Sequence, residues 1–404
     1  MTVEILPSLA KGTVNAPASK SMAHRTLISA ALAQGVSTVW NVMPSEDLLA
    51  TMDCLKALGA GIDYYSQSVV ISGMRLNCIP NGSVLPCRES GSTLRFLIPL
   101  ALISEKEISF TGSRRLFDRP LGVYEEICRD QGLLFRHDEN RLTVRGRLSS
   151  GKYSIPGNVS SQFISGLCFA LPLLDGDSEI EILPPLESAP YLEMTLQILS
   201  QCGIRVYREH NRLMIPGGQR FSPLAYRVEG DWTNAAYLEA LGFESGAVRI
   251  AGLDNDSIQG DRIYPEFFKS LRENAPVLDL SDCPDLGPVL FALAADQHGG
   301  VFTGIKRLRL KESDRITAMA EELRKFGAEL KIDADTVTIF PASLHEPDCV
   351  LWGHGDHRIV MALSILASVR GGTIRGADAV NKSFPGYFDT LRSLGVRWRI
   401  VEET

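Results

Sequence analysis

The sequence is poor in the features that mark metal clusters, disulfide scaffolds, membrane spans and secretory leaders. Its eight cysteines are scattered without a Cys-x-x-Cys pair, which disfavours a zinc cluster or a disulfide scaffold and predicts a location in the reducing cytoplasm. The longest nearly apolar runs, residues 163–174 and 359–369, are well short of the roughly 18 residues that suggest a membrane span. The first residues contain neither a basic stretch nor a long apolar core, so no secretory signal is expected.

Positive charge is also scarce. The chain has 41 Lys and Arg against 48 Asp and Glu, which gives a formal net charge of −7. A broadly basic surface for nucleic acid is therefore not expected, although net charge leaves room for a small cationic pocket. Hydrophobic residues make up 45% and charged residues 22%, as in ordinary globular proteins, and the length of 404 residues predicts two or three domains.

A helix with a glycine-like end followed by an apolar strand recurs six times. Dividing the 404 residues by six gives about 67 per repeat, too long for a solenoid but long enough for a small βαβ-containing fold. We predict a mixed α/β chain of two similar lobes, residues 13–225 and residues 1–12 with 226–404, and an active site in the cleft between them. The helix ends are Gly59, Gly132, Gly203, Asn274, Gly327 and Gly395.

Several segments of the first half place hydroxyl or cationic side chains at the start of an apolar helix. Lys20 and Ser21 stand at such a start, and Arg25 follows on the same helix face. Amide groups and the helix dipole favour anions there, so the segment predicts a phosphate or carboxylate site, with an ordinary solvated cap as the alternative. The related segments contain Gly91 in a Ser-Gly-Ser turn, Arg119 before Pro120, Ser160-Ser161-Gln162 at a helix entry, and Ser188 with Tyr191 in a loop.

The second half adds candidate acid–base residues. Asp285 follows a proline at the head of an apolar helix and is a candidate base, with a capping role as the alternative. Glu312 stands among cations at another helix start, where a perturbed pKa would suit proton transfer; a surface ion-pair network is the alternative. His354 and His357 lack cysteine partners nearby, so no metal site is expected.

Cations recur at helix entries in both predicted lobes. Together they would make one cleft that binds anions, so the residues alone predict small substrates with several phosphate or carboxylate groups. The seven cations are Lys20, Arg25, Arg119, Lys311, Arg315, Arg358 and Lys382.

Taken in order, these motifs resemble the 5-enolpyruvylshikimate-3-phosphate (EPSP) synthase family of enolpyruvyl transferases, nearly from end to end. The resemblance implies an inside-out α/β barrel fold of two lobes, each with three βαβαββ repeats. The motifs that carry it are Ser19-Lys20-Ser21-x-x-x-Arg25, Ser90-Gly91-Ser92-Thr93-x-Arg95, Asp118-Arg119-Pro120, Ser160-Ser161-Gln162, Ser188-x-Pro190-Tyr191, Glu229-Gly230-Asp231, Asp285, Arg309-x-Lys311-Glu312-Ser313-Asp314-Arg315, Asp356-His357-Arg358 and Lys382-Ser383-Phe384-Pro385.

The resemblance implies transfer of the enolpyruvyl group of phosphoenolpyruvate to the 5-hydroxyl of shikimate 3-phosphate, with release of phosphate, in the biosynthesis of chorismate and aromatic amino acids. The course is addition and elimination through a tetrahedral intermediate. No metal or organic cofactor is implied. The expected partners are the two small-molecule substrates, without nucleic acid or membrane, and a monomer is expected. Because Gly91 has no side chain to crowd the phosphoenolpyruvate pocket, the family's sensitivity to glyphosate is implied as well.

The resemblance also assigns roles to residues. Asp285 would take the proton of the attacking hydroxyl, Lys20 and Glu312 would transfer protons at the methylene carbon, and His357 would take a weaker part. Shikimate 3-phosphate would be held by Ser21, Arg25, Ser160, Ser161, Gln162, Ser188, Tyr191, Asp285 and Lys311. Phosphoenolpyruvate would be held by Lys20, Gly91, Arg119, Gln162, Arg315, Arg358 and Lys382.

The chain departs from the family pattern at two positions. Glu89 and Arg307 stand where many members have asparagine, so neither is included in the predicted site.

Two alternatives accompany the resemblance. The sister transferase that acts on UDP-N-acetylglucosamine carries a reactive cysteine where residues 112–119 of this chain have none, and Lys-Asn where this chain has Lys20-Ser21. The other alternative is a non-catalytic binding protein of the same fold, against which the intact Lys20, Asp285 and Glu312 argue.

Overall fold

The computed structural model describes residues 1–243 and 247–402. The chain divides into two compact units. The continuous unit is Ala18–Glu229, and the discontinuous unit joins Met1–Pro17 to Gly230–Thr404. This division falls a few residues beyond residues 12 and 225, where the sequence predicts the boundaries.

The described residues form strands and α-helices that we number along the chain. The strands are β1 (Thr2–Leu6), β2 (Gly12–Asn15), β3 (Val36–Trp40), β4 (Gly61–Tyr65), β5 (Ser68–Ser72), β6 (Val84–Arg88), β7 (Ile108–Gly112), β8 (Leu134–Asp138), β9 (Arg141–Arg145), β10 (Lys152–Pro156), β11 (Ser178–Leu183), β12 (Tyr207–Glu209), β13 (Arg212–Ile215), β14 (Ala225–Arg227), β15 (Val248–Ala251), β16 (Val277–Asp279), β17 (Gly300–Thr303), β18 (Glu329–Ile332), β19 (Thr336–Phe340), β20 (Leu351–Trp352), β21 (Gly372–Arg375) and β22 (Arg397–Val401). The helices are α1 (Lys20–Leu32), α2 (Glu46–Ala57), α3 (Gly91–Ala101), α4 (Arg114–Phe117), α5 (Gly122–Asp130), α6 (Ser161–Ala170), α7 (Ala189–Gln201), α8 (Trp232–Ala240), α9 (Tyr264–Glu273), α10 (Gly287–Asp296), α11 (Arg315–Lys325), α12 (His357–Arg370) and α13 (Tyr387–Ser393). Short 3-10 segments are Leu76–Cys78, Leu171–Leu173, Gly260–Ile263, Pro284–Leu286, Lys306–Leu310 and Ala377–Lys382.

Each repeat of the continuous unit builds a four-stranded sheet with the same strand arrangement. In the second and third repeats two parallel strands are joined through a helix, whereas in the first the parallel neighbour of β3 is β14, from the end of the unit. In all three, an antiparallel hairpin that follows a helix completes the sheet. Val84 pairs with Ser109 in the parallel step of the second repeat, and Ile108 pairs with Val144 in the antiparallel step. The strand orders are β14-β3-β5-β4, β6-β7-β9-β8 and β10-β11-β13-β12.

The discontinuous unit follows the same plan with two differences. Its first strand, β1, lies between β21 and β22, so that Val3 pairs with both Ile374 and Ile400. The sheet of β2 and β15 has two strands, because α9 ends at Glu273 and β16 begins at Val277, which leaves no room for a hairpin. The predicted α/β fold of repeated βαβαββ units is confirmed, with this repeat shortened.

The helices whose first turns carry the predicted residues lie in the cores of their units. In α3 and α6 nearly every side chain is buried, and the rings of Phe96 and Phe169 meet with centroids 5.5 Å apart. In the other unit, α10 and α12 are buried in the same way. A helix that is apolar all round needs such a core, and it gives the side chains at its start a rigid support. Among the described residues, no helix combines the length and the apolar character that crossing a membrane requires.

Candidate active site

The first turn of α1 holds Lys20 in an ion pair. Ser19 caps the helix, its hydroxyl accepting a hydrogen bond from the amide of Met22 at 3.4 Å. The Lys20 Nζ donates to Asp47 Oδ2 at 2.7 Å, and the two side chains are only 14% and 11% exposed. Asp47 belongs to the first turn of α2. Lys20 is therefore a positioned, largely desolvated ammonium with a hydrogen-bonded counter-ion.

Arg25 joins α1 to α7. Its Nε donates to Thr195 Oγ1, and its two terminal nitrogens donate to the carbonyls of Ser21 and Tyr191, all at 2.8 Å. Burial lowers the pKa of Arg25 to about 10, so that the guanidinium is still charged at neutral pH. Three of the predicted shikimate 3-phosphate residues, Ser21, Arg25 and Tyr191, thus share one hydrogen-bonded cluster.

Ser188 stands immediately before α7 in a left-handed backbone conformation, with φ 57° and ψ 42°. Residues other than glycine rarely adopt this conformation, and where they do, the surroundings must hold them. The side chain is buried, and the carbonyl accepts a hydrogen bond from the amide of Tyr191 at 3.1 Å. This backbone conformation, together with the hydrogen bond to the Tyr191 amide, sets how Ser188 leads into α7.

Gly91 and Arg119 touch. A β-carbon at Gly91 would lie 2.5 Å from a terminal nitrogen of Arg119 and 2.7 Å from its central guanidinium carbon, closer than atoms can stand. Glycine is therefore what lets the guanidinium rest against the first residue of α3. The Arg119 Nε is buried and has no acceptor among the described residues.

Gln162 lies beside the same turn. Its side-chain amide donates to Ser92 Oγ at 2.9 Å, and its carbonyl oxygen accepts from Arg95 at 2.9 Å. Ser160 caps α6 by accepting from the amide of Gln162 at 3.3 Å, and Ser161 is the buried first residue of that helix. The starts of α3 and α6 thus meet through polar side chains at the end of an otherwise apolar pair of helices.

In the discontinuous unit, Arg315 lies among three carboxylates. It donates to Asp285 at 2.7 Å, to Glu312 at 2.8 Å and to Asp356 at 2.8 and 3.2 Å, and its side chain is 1% exposed. Burial acts against the charge, but Asp356, Glu312 and Asp285 together raise the pKa of Arg315 well above its ordinary value. The candidate base and the candidate acid are therefore joined by one guanidinium.

Asp285 is held as a carboxylate. Lys311 Nζ lies 3.0 Å from the same Oδ1 that accepts from Arg315. Although burial opposes ionisation, Lys311, Arg315 and Arg358 hold the pKa of Asp285 well below its ordinary value. Burial lowers the pKa of Lys311, with Arg315 and Arg307 acting in the same direction and Asp285 against it. The charges of Asp285 and Lys311 are thus mutually dependent.

Asp356 organises the start of α12. It caps the helix by accepting from the amide of Arg358 at 2.9 Å, and it accepts from Ser313 at 3.0 Å as well as from Arg315. Its side chain is fully buried. His357 follows it and is also buried, with Nδ1 3.8 Å from Asp356 Oδ1. The sequence motif names Asp356, but without a role.

Arg358 and Lys382 complete this cluster. A terminal nitrogen of Arg358 donates to Asn234 Oδ1 at 2.8 Å, its guanidinium lies over the ring of Tyr237 at 5.2 Å, and its Nε has no acceptor among the described residues. Lys382 Nζ donates to the carbonyl of Gly355 at 2.6 Å. The Tyr237 hydroxyl donates to the carbonyl of Asp285 at 3.0 Å and so ties α8 to the candidate base.

Within residues 1–243 and 247–402, one group of side chains has donor atoms close enough for a metal ion. Carboxylate and imidazole atoms of Glu321, Glu322 and His354 lie within 4.8 Å of one another. Both oxygens of Glu322, however, accept from Lys325 Nζ, at 2.8 and 2.9 Å, and one also accepts from the amide of Trp352. The lysine already supplies the positive charge that a cation would bring.

Sequence reasoning missed the partners that hold the predicted residues. Asp47 holds Lys20, Asn234 holds Arg358, and Tyr237 holds the Asp285 backbone, over separations of 27, 124 and 48 residues. Ser45 before Asp47, and Asp231 before Asn234, are helix caps that a search for capping signals would have found. Nothing in the local sequence connects those helices to Lys20 or Arg358.

Comparisons with known proteins give the family of the chain. The family model described as EPSP synthase (3-phosphoshikimate 1-carboxyvinyltransferase) matches residues 7–391. A 3-phosphoshikimate 1-carboxyvinyltransferase of Clostridium kluyveri is 41% identical, with 97% of each chain covered. One from Clostridium perfringens is 38% identical, over 97% of this chain and 98% of the relative. The solved EPSP synthase of Acinetobacter baumannii, at 22% identity, superposes with a TM-score of 0.79 over 99% of this chain and all of the other. By this family match and these identities, the chain belongs to the EPSP synthase family.

Proposed function

We propose that two clusters, the residues around Lys20, Arg25 and Gly91 in the continuous unit and those around Arg315 in the discontinuous unit, act together. They transfer the enolpyruvyl group of phosphoenolpyruvate to the 5-hydroxyl of shikimate 3-phosphate and release phosphate. The carrying observation is that one guanidinium, Arg315, joins Asp285 to Glu312. Addition to the enol phosphate needs a base at the attacking hydroxyl and an acid at the methylene carbon. A shared cation keeps both carboxyl groups close and oriented while two anionic substrates are brought to reacting distance.

Asp285 is the proposed base and gains basicity when the substrates bind. Without them, Lys311 and Arg315 lower its pKa, which makes it a weak base. Anionic substrate groups compete for the same two cations, so binding weakens their hold on the carboxylate and its pKa rises. The carboxylate then takes the hydroxyl proton as the oxygen attacks C2 of phosphoenolpyruvate.

Lys20 and Glu312 are the proposed proton-transfer groups at C3. Protonation of the methylene carbon makes C2 electrophilic, and the hydroxyl oxygen adds there to give the tetrahedral intermediate. In the elimination step the C3 proton leaves and the C2–O bond to phosphate breaks. His357 is proposed to take a weaker part, since it is buried against Asp356.

We propose that each substrate is bound by its own set of residues from these two clusters. For shikimate 3-phosphate, the hydrogen-bonded group around Arg25 and the hydroxyl-rich start of α6 support the assignment of Ser21, Arg25, Ser160, Ser161, Gln162, Ser188, Tyr191, Asp285 and Lys311. For phosphoenolpyruvate, the buried Nε donors of Arg119 and Arg358 support the assignment of Lys20, Gly91, Arg119, Gln162, Arg315, Arg358 and Lys382.

The test is phosphate release with each substrate alone and with both. We expect release with both only, and loss of release in Asp285→Asn. Asp256→Asn, an exposed aspartate of the same unit, is the matched control and should keep full activity. Release from phosphoenolpyruvate alone, or none with both substrates, would contradict the proposal. Inhibition by glyphosate that phosphoenolpyruvate relieves is expected in the same assay.

We propose further that the protein acts as a cytoplasmic monomer without nucleic-acid or membrane partners. All eight cysteines are free thiols, six of them buried, as suits a reducing compartment. The net charge of −7 disfavours binding to polyanionic surfaces. Sedimentation of the purified protein tests the oligomeric state, and a stable dimer would contradict it.

A further inference from the structure

Three hydroxyl groups and one imidazole form a buried chain of side-chain hydrogen bonds in the continuous unit. His24 Nδ1 lies 2.7 Å from Thr51 Oγ1, Thr51 Oγ1 lies 2.6 Å from Thr93 Oγ1, and Thr93 donates to Ser90 Oγ at 2.7 Å. Each of the four residues is at most 1% exposed. The chain runs from α1 through α2 to the residue that caps α3, beside Gly91.

The direction of these hydrogen bonds follows from counting protons. Thr93 gives its single hydroxyl proton to Ser90. The Asp47 carbonyl lies 3.3 Å from Thr51 Oγ1 and 3.5 Å from Thr93 Oγ1, beyond the usual O–H···O distance of about 2.5–3.0 Å, so the short contacts hold the protons. The proton between Thr51 and Thr93 then comes from Thr51, and the proton between His24 and Thr51 comes from Nδ1 of the imidazole.

The other imidazole nitrogen agrees with this direction. His24 Nε2 is buried and has no partner among the described residues. A buried N–H without an acceptor is costlier and rarer than an unused lone pair, so Nε2 carries no proton. Burial, with Lys20 and Arg25 adding to it, lowers the pKa of His24 well below its ordinary value. His24 is thus a neutral imidazole with its proton on Nδ1.

With this direction, no other member of the hydrogen-bond chain accepts the Ser90 hydroxyl proton. Ser90 Oγ accepts from the Thr93 hydroxyl and from the Thr93 amide, at 2.7 and 3.2 Å, and its own proton meets no acceptor among the described residues. Ser90 directly precedes Gly91, against which the Arg119 guanidinium rests. The amide groups at this helix start and the guanidinium both favour an anion beside Ser90.

We propose that His24 is a positioning residue for phosphoenolpyruvate, and that it makes the Ser90 hydroxyl a hydrogen-bond donor to a carboxylate or phosphate oxygen of that substrate. The inference rests on the proposed function, because it takes phosphoenolpyruvate as the anion at the start of α3. If the chain ran in the opposite direction, Ser90 would spend its proton on Thr93. His24 opposes this, because full reversal would put a buried proton on Nε2 with no acceptor, and the Asp47 carbonyl, at 3.3 Å from Thr51 Oγ1 and 3.5 Å from Thr93 Oγ1, is too distant to accept well in its place.

The first test is the protonation state of His24, which does not depend on activity. In protein labelled with ¹⁵N at histidine, we expect His24 to show a protonated Nδ1 and an unprotonated Nε2 from pH 6 to pH 8. The signal is assigned by its loss in His24→Phe. A proton on Nε2, or an imidazolium, would overturn the proposal even if the enzyme is fully active.

The second test is a double-mutant cycle on the KM for phosphoenolpyruvate. We expect Ser90→Ala to raise this KM about tenfold and His24→Phe about threefold, with kcat and the KM for shikimate 3-phosphate within about twofold of wild type. Because both changes remove the same hydrogen bond, the double variant should be no worse than Ser90→Ala alone. Ser90→Gly, which keeps most of the cap stability, should behave like Ser90→Ala.

The matched control is Thr26→Val. It removes a buried hydroxyl from α1, the helix that carries His24, and that hydroxyl donates to the Met22 carbonyl within the same helix, at 2.9 Å. Its kinetic constants should equal those of wild type. Additive effects in the cycle, or an equal rise in the two KM values, would overturn the proposal. A wild-type protein that releases no phosphate would instead contradict the proposed function and leave the histidine measurement standing.

Discussion

At the scale of single residues, the contact of Gly91 with Arg119 gives a sharp prediction. A methyl group at Gly91 would lie 2.5 Å from the guanidinium, which is the movable end of a long side chain and would swing aside. Gly91→Ala should therefore raise the KM for phosphoenolpyruvate about tenfold or more, with a melting temperature close to that of wild type.

Gly122 provides the comparison for this variant. It also begins a helix, but a β-carbon there would meet nothing within 4 Å. Gly122→Ala should leave both KM values unchanged. An unchanged KM for phosphoenolpyruvate in Gly91→Ala would show that Arg119 does not hold that substrate.

Lys20 is predicted to combine a catalytic role with a structural one. Lys20→Met should lower kcat by at least about a hundredfold, because a proton donor is lost. It should also cost about 1–3 kcal/mol of unfolding free energy, because the Asp47 carboxylate, only 11% exposed in the ion pair, loses its counter-ion. Adding Asp47→Asn should restore the stability but not the turnover, as measured by denaturant unfolding and phosphate release. A double variant that recovers activity would contradict the role of Lys20.

Which residues could be predicted depended on how far their partners lie along the chain. The cations and Asp285 stand in recognisable local segments at helix starts. Asp47 reaches Lys20 from 27 residues away and Asn234 reaches Arg358 from 124 residues away, so only the folded chain reveals them. Hydrogen-bond direction in the chain from His24 to Ser90 is equally invisible to any reading of spacing.

At the scale of elements, the start of α12 carries two functions in one side chain. Asp356 caps the helix and also pairs with Arg315. Asp356→Asn keeps a good capping group but removes a charge that the buried Arg315 faces, so it should cost about 1–3 kcal/mol of unfolding free energy while lowering kcat/KM for phosphoenolpyruvate about tenfold. Asp356→Ala should lose both, with about 2–4 kcal/mol of unfolding free energy gone.

Asp314→Asn serves as the control for that pair of variants. Asp314 caps α11 in the same manner, accepting from the amides of Ile316 and Thr317 at 3.1 Å, and its ion pair is with Arg309 instead of Arg315. Its activity should be that of wild type. Equal kinetic losses in Asp314→Asn and Asp356→Asn would mean that the ion pair with Arg315 does not explain the effect.

Helix ends were the best predicted elements, because a left-handed cap leaves a signature in the sequence. Gly59, Gly132, Gly203, Gly327 and Gly395 all have positive φ, between 68° and 102°. Asn274, the member of the predicted series that is not glycine, has φ −164° and is extended. That helix runs directly into the next repeat, so no strand hairpin follows to require a left-handed turn.

At the scale of the whole molecule, Asp261 is predicted to set part of the pH dependence of stability. Burial, with Asp285 adding to it, raises the pKa of Asp261 to about 7. An unfolded aspartate titrates near 3.9, so between about pH 4 and pH 7 the folded protein binds the extra proton. Its unfolding free energy should therefore fall as pH rises through that range, by on the order of 4 kcal/mol.

Asp261→Asn tests this sign. The variant should be more stable than wild type at pH 8 and should lack that part of the slope. Asp256→Asn, an exposed neighbour, should show the wild-type slope. Urea unfolding at pH 5 and pH 8 measures the difference, and a wild-type stability that rises with pH together with an unaltered slope in Asp261→Asn would contradict the assignment.

The place of β1 has a consequence for how the chain is made. Residues 2–6 leave the ribosome before every other described strand, yet they form the interior strand between residues 372–375 and 397–401. At about 5–20 residues per second, that strand waits on the order of twenty seconds or more for its neighbours. The continuous unit, complete at Glu229, emerges well before them. Synthesis therefore imposes an order of assembly, in which the amino-terminal strand stays unpaired until the last sheet closes around it.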